Sequence, residues 1–139
     1  MSSNERTGWR DEGLSQLHRT WGRDVPAADI DFILMEYDHC NPVAIIEYKN
    51  EHAAPQGKDE PTNKALAKLG EAAGLPVFGV RYTDDYTLWQ VAALNGKAAI
   101  ALMGSRRSFT QSGYVQLLYR LRGRKAPDEI ISRIEEQYG

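Results

Sequence analysis

The 139-residue chain has one cysteine, Cys40, so it can form no internal disulfide and nothing in it points to an oxidising compartment. No apolar run approaches the roughly eighteen residues that a membrane-spanning helix needs. No basic-then-apolar leader precedes a small-residue cleavage site. The expected location is cytoplasmic, with no membrane partner. Zinc ligands are scarce too, because His18, His39 and His52 lack ligand spacing and Cys40 is the one available thiolate. The absence of a glycine-rich Walker loop excludes a nucleotide-driven motor, and the absence of a serine elbow excludes common serine hydrolase chemistry.

A further absence is local. Between Tyr86 and Pro127 there is no Asp or Glu, yet the segment holds seven basic residues: Lys97, Arg106, Arg107, Arg120, Arg122, Arg124 and Lys125. The rest of the chain carries all nineteen acids and ten of the seventeen basic residues, a net charge of −9. The overall charge of −2 therefore hides a polarised chain with an acidic portion and a basic one. A basic segment of this kind suits either a solvated helix face or a surface for a polyanion. The 42% hydrophobic and 26% charged content otherwise fits one ordinary globular domain with a real core.

Periodicity orders the elements. From Arg10 to Trp21, Leu14, Leu17, His18 and Trp21 recur at three- and four-residue spacing, an amphipathic helix stopped by Gly22. Two apolar strands, Asp29–Tyr37 and Pro42–Lys49, flank the turn formers of "YDHCNP". A helix follows from Pro61 to about Ala73, with Thr62 as the expected cap and Gly74 as terminator. "LPVFGVRY", "TLWQVAAL" and "KAAIALMG" read as three strands, the last two joined by an Asn95-Gly96 hairpin turn. "SRRSFTQSG" reads as a polar loop, followed by helices over about Tyr114–Arg122 and from Pro127 onward. The expected fold is α/β, a mixed central sheet flanked by helices in the order α-β-β-α-β-β-β-α-α.

The first strand pair raises the chemical question. Asp31, Glu47 and Lys49 stand where Val, Ile or Thr would ordinarily sit, and charge buried on a sheet is costly without a partner. Glu47 and Lys49 are two apart and share a strand face. In an antiparallel pair, the numbers of opposed residues sum to a constant. A sum of 78 sets Asp31 opposite Glu47, 80 sets it opposite Lys49, and 79 turns it to the wrong face. A three-residue turn, at Asp38–Cys40 for 78 or His39–Asn41 for 80, or a bulge, is required. Asp29 lies on the same strand face as Asp31; Asp31 is favoured because the apolar run follows it directly. Two converging carboxylates repel, a divalent cation with hard oxygen ligands such as Mg²⁺ removes that repulsion, and a nearby lysine can orient water. That set suits phosphodiester hydrolysis.

An acid at the start of one strand, followed by E-x-K inside the next, resembles the PD-(D/E)xK nuclease superfamily. The string "IDFILME…VAIIEYKN" is similar to its nuclease-related, resolvase-like and phage-type small members. The resemblance implies a restriction-endonuclease-like core and DNA as partner. It gives Asp31 and Glu47 as metal ligands, the Tyr48 backbone carbonyl as a third, and Lys49 as the catalytic lysine. Members often add a glutamate from the first helix, and Glu12 in "EGLSQL" is the matching position. The implied cofactor is Mg²⁺, with Mn²⁺ as a substitute. The likeness spans Arg10 to Tyr82. The chain departs from the pattern in having Ile30, not Pro, before the aspartate, and in reducing one expected edge strand to "WGRDVPA".

On this reading residues 1–139 form one nuclease-like domain, with an acidic catalytic core at 10–85 and a basic C-terminal part at 86–127. Arg19, Arg23, Arg106, Arg107, Arg120, Arg122, Arg124 and Lys125 are the expected DNA-binding residues, since cations must neutralise phosphates beside an acidic site. Leu117, Leu118 and Leu121 read as core, and Tyr114 and Tyr119 as packing residues rather than base-stacking ones. One site per chain cuts both strands only as a homodimer or by sequential nicking. A non-catalytic nucleic-acid-binding domain of the same fold, and a phage-related protein-interaction module, are the alternatives.

Overall fold

The computed structural model describes residues 12–54 and 60–139, without the side chains of Glu12 and Ser15. Helix α1 (Glu12–Arg19) leads into the edge strand β1 (Phe32–Met35), which pairs antiparallel with β2 (Pro42–Asn50). Helix α2 (Pro61–Ala73) crosses over to β3 (Val77–Tyr82), which is parallel to β2. Strand β4 (Trp89–Ala93), helix α3 (Gly96–Leu102) and strand β5 (Arg106–Phe109) follow, then helices α4 (Gln111–Leu121) and α5 (Asp128–Tyr138). The five strands lie in chain order, β1 to β5, and the parallel β2–β3 pair is the one that needs a crossover helix. The mixed α/β sheet flanked by helices is the expected class of fold.

Two elements differ from expectation, both for one local reason. "KAAIALMG" is helix α3 rather than a strand, and the fifth strand is "RRSF", which had read as loop. A two-residue Asn-Gly hairpin turn needs positive φ at both residues, but Asn95 has φ −145°. It acts as an N-cap, its Oδ1 accepting from Ala98 N at 3.0 Å. The same oxygen accepts from Val77 N, and Nδ2 donates to the Leu75 carbonyl, so Asn95 also ties α3 to the start of β3. The Ala-rich segment behind it then follows its helical propensity. Helix α2 shows a smaller difference, since its cap is Glu60, not Thr62. Pro61 takes the first helical position, and the Glu60 carboxylate accepts from Asn63 N. Gly74 ends the helix at φ +73°, as expected.

Alternation along β2 divides the core between the two sheet faces. Ala44, Ile46 and Tyr48 face α3 and α4, joining Phe78, Val80, Val91, Leu102 and Leu117 in the larger cluster. Ile45 faces α2 and packs with Leu66 and Val77. Each buried Val, Leu, Ile or Phe among them contributes about 1.5–3 kcal/mol. Helix α2 approaches β3 closely, because a Cβ on Gly70 would stand 2.2 Å from Val77 Cγ2. By contrast, Leu14 and Leu17 on α1 and Trp21 just beyond it are half-exposed. No helix of the described residues is long and apolar enough to cross a membrane.

Candidate functional site

The register of β1 on β2 decides what the site contains. Phe32 opposes Ile46, Ile33 opposes Ile45 and Leu34 opposes Ala44, a constant sum of 78. One step further sets Asp31 opposite Glu47. The turn itself runs on a different sum, with Met35 opposite Pro42, so Val43 is the extra residue of a bulge. Beyond it, Glu36 N donates to the Asn41 carbonyl, while the Glu36 carboxylate accepts from His39 N and Asn41 N. Cys40 takes φ +59°. A buried carboxylate thus holds the turn, and the bulge restores the register that brings Asp31 to Glu47.

At the edge of the sheet, Asp31 Oδ2 accepts from Tyr48 N at 3.1 Å, where a longer β1 would have offered a backbone carbonyl. The N–H and C=O of a strand residue point to the same side, so the Tyr48 carbonyl is directed toward this edge as well. Glu47 is only 8% exposed, and its Oε2 is buried with no hydrogen-bond partner. Burial first, and then the Asp31 charge, push the Glu47 carboxyl above the usual carboxylate range, with Lys49 opposing them. Lys49 Nζ stands 3.5 Å from Glu47 Oε1 and is partly open to solvent. The three residues therefore meet: two coupled carboxylates, one with an unsatisfied oxygen, and one ammonium.

A cavity of about 550 Å³ lies beside them, bordered by Glu47, Lys49, Asn63, Gly79, Arg81, Gln90 and Arg106. Gly79 stands next to Glu47 on β3 and leaves the floor open. Glu47, Gly79, Ala92 and Arg106 form one cross-strand row, so Arg106 shares the face of Glu47 three strands away. Arg107 alternates to the other face, where its guanidinium lies 5.2 Å from the Phe109 ring. Arg81 is tied down, its Nη2 donating to the carbonyls of Glu51 and Ala53.

The remaining expected cations are dispersed. Arg122 pairs with Asp38 at 2.6 Å and with Glu36 at 3.5 Å, and Arg124 pairs with Asp38 at 2.8 Å. The basic segment is thus partly engaged in strapping the β1–β2 turn to the end of α4. Lys125 lies 3.8 Å from Asp128. Arg19, Arg23 and Arg120 are exposed. Glu12 opens α1, but its side chain lies outside the described residues. Tyr114 is buried, as packing residues are, and stacks on Trp89.

Two groupings have no counterpart in the sequence reading. Glu51, His52 and Asp84 bring ligand-type atoms within 4.8 Å of one another at the C-terminal ends of β2 and β3. They are exposed and bonded among themselves, with His52 Nε2 2.7 Å from Asp84 Oδ2 and Asp84 N donating to Glu51 Oε2. Donating a hydrogen bond to the Asp84 carboxylate raises the His52 pKa. The other grouping is aromatic: on the opposite sheet face, a cavity of about 1000 Å³ is walled by Phe32, Tyr48, Tyr82, Tyr86, Trp89 and Tyr114. Its signal was the pairing of Tyr82 with Trp89 across β3 and β4, legible only once that register is known.

Fold and site together define a small mixed α/β domain with a coupled carboxylate pair and a lysine at one end of its sheet. The chain belongs to DUF2726, a family of proteins of unknown function, matched over residues 17–95, more than half its length. The matched segment includes Asp31, Glu47 and Lys49 and ends at Asn95. No curated protein and no solved structure matches the chain.

Proposed function

We propose that the protein is a metal-dependent DNA endonuclease of the PD-(D/E)xK kind. The observation that carries this reading is the convergence of Asp31, Glu47 and Lys49, with Glu47 Oε2 buried and unpartnered. An ordinary solvated strand face would leave no such oxygen, since buried polar groups are nearly always satisfied. The donor set fits Mg²⁺, or Mn²⁺ in its place: two hard carboxylates and the Tyr48 carbonyl, directed to the same edge. Glu12 is the candidate for a further carboxylate. Such an ion supplies Lewis acidity to a phosphate oxygen and lowers the pKa of a bound water.

The protein's own residues have distinct tasks. Asp31 and Glu47 would hold the ion, and Asp31 is itself oriented by the Tyr48 N–H. Lys49 orients the attacking water and stabilises charge that develops on the phosphate as the new P–O bond forms and the sugar oxygen leaves. Arg106, on the same face, neutralises a neighbouring phosphate. A cytoplasmic location fits such an enzyme.

Supercoiled plasmid incubated with the protein and Mg²⁺ or Mn²⁺ is expected to be nicked or linearised, with EDTA blocking the reaction. Lys49→Ala, at a partly exposed position, should slow cleavage about a hundredfold or more with no loss of fold by circular dichroism. No metal-dependent cleavage, or cleavage indifferent to the substitution, overturns the reading. Salt-sensitive DNA binding without cleavage would instead favour the non-catalytic nucleic-acid-binding alternative.

A further inference from the structure

The larger cavity lies on the sheet face opposite the Glu47 and Lys49 side chains, yet Asp31 lines it. Asp31 thus belongs to both the carboxylate pair and the cavity wall. Within the cavity four near-parallel rings form a compact cluster. Tyr82, Tyr86 and Trp89 lie 5.6–6.2 Å from one another with their planes within 27°, and Trp89 stacks on Tyr114 at 4.9 Å and 6°. Tyr114 is buried, while Tyr86 is 46% exposed. Phe32, beside Tyr48, is 59% exposed.

The exposed ring of the cluster, Tyr86, is held there against its local preference. Tyr86 has φ +60°, a left-handed conformation that is strained for a bulky residue and persists only where its surroundings over-determine it. Here they do. Tyr86 N donates to the Thr83 carbonyl, and the Tyr86 carbonyl accepts from both Trp89 Nε1 and Gln111 Nε2. The Asp85 carboxylate, bonded to Thr83 and Thr87, fixes the rest of the turn. This turn presents an aromatic ring to solvent at a cost in backbone strain, where a Gly or Asn would have turned the chain without strain.

Resting on the nuclease reading, we propose that the cavity receives an unpaired DNA base stacked on Tyr86, placing its phosphate at Asp31 and Glu47, so that the preferred substrate is single-stranded or flapped DNA. The near-parallel rings favour a planar ligand that extends the stack. A cation would need ring faces converging around one centre. Stacking suits every base, since each has a π-face. At the base edge, Gln111 has an amide oxygen left to accept from an exocyclic amine. Asp29 and Asp31 on the wall repel phosphate. Binding therefore depends on a divalent ion at the carboxylate pair.

Trp89 lies against Tyr82, Tyr86 and Tyr114 and reports on the cluster. Titration of the full chain with a short oligodeoxyadenylate in Ca²⁺ should quench tryptophan fluorescence, and EDTA should weaken binding. Trp89→Phe should abolish the quench, which assigns the signal to the cavity, and affinity is read independently by anisotropy of a labelled oligonucleotide. Tyr86→Asn, which suits the positive φ, should weaken binding about tenfold or more, whereas Tyr86→Phe, which keeps the ring, should not. In Mg²⁺, flapped or single-stranded DNA should be cut faster than blunt duplex. Lys49-dependent cleavage of duplex, with no oligonucleotide quench and no effect of Tyr86→Asn, overturns this inference and leaves the nuclease reading intact. Tyr86-dependent binding without any cleavage does the reverse.

Discussion

The Asp31 carboxylate takes the hydrogen bond of Tyr48 N that a backbone carbonyl would take if β1 were longer. A strand that ends early leaves its neighbour's amide unsatisfied, and here a side chain fills the gap. In doing so it brings a negative charge against Glu47, which is already desolvated. The ionised Glu47 is therefore disfavoured in the metal-free protein, and a cation bound there would relieve it.

Glu47→Gln should accordingly stabilise the metal-free protein at neutral pH. The folded-state pKa of Glu47 lies above its ordinary value of 4.5, so the folded state binds this proton more tightly than the unfolded chain. Stability then falls as pH rises from about that ordinary value through the raised one, and is level above it. The variant should remove that slope and raise the neutral-pH Tm by about 3 °C for each kcal/mol relieved. Saturating Mg²⁺ or Mn²⁺ should raise the parent's Tm, by the equivalent of about 2.7 kcal/mol at a hundred times Kd, and leave the variant unmoved. Calorimetry across pH, with and without metal, tests both.

Glu36 has the opposite sign. Hydrogen bonds from Asn41 N, then His39 N, together with Arg122, hold its carboxyl below the ordinary 4.5 against burial and the Asp38 charge. Its contribution is present above that ordinary value and is lost as pH falls through the lower folded one. Glu36→Gln should lower the Tm at pH 7, and the gap from the parent should close under acid conditions. Because Glu36 holds the turn that precedes the bulge, the same variant should also weaken the metal-induced rise in Tm.

Asn95→Ala should cost about 2–4 kcal/mol, since it removes the cap of α3 and leaves Val77 N–H and the Leu75 carbonyl without their partner. Asn95→Asp keeps the accepting oxygen and loses only the donor to Leu75, so it should cost less. Urea unfolding monitored by circular dichroism measures the difference.

Much of the fold could be read from local chemistry. Pro61 and Gly74 bracket α2, the short apolar run in "PVAIIEYKN" makes β2, and E-x-K on a strand puts Glu47 and Lys49 on one face whatever surrounds them. These follow from backbone sterics and side-chain period, which act within a few residues. Asn95-Gly96 could not be resolved at that range, because Asn serves a hairpin or an N-cap equally well. Here the choice follows its bonds to Val77 and Leu75, eighteen and twenty residues away. The acid-free basic segment likewise did not announce that Arg122 and Arg124 would be drawn to Asp38, more than eighty residues distant.

The sequence by itself determined which residues carry charge on the first two strands, and so the chemistry open to them. Only the tertiary structure decided that Asp31 faces Glu47, through a one-residue bulge at Val43 whose effect on register is all-or-none. It alone also assembled the cluster of rings from Tyr82, Tyr86, Trp89 and Tyr114. Strand pairing and helix docking bring together residues that share no local signal, because the free energy that joins them comes from burial and hydrogen bonding across the sheet.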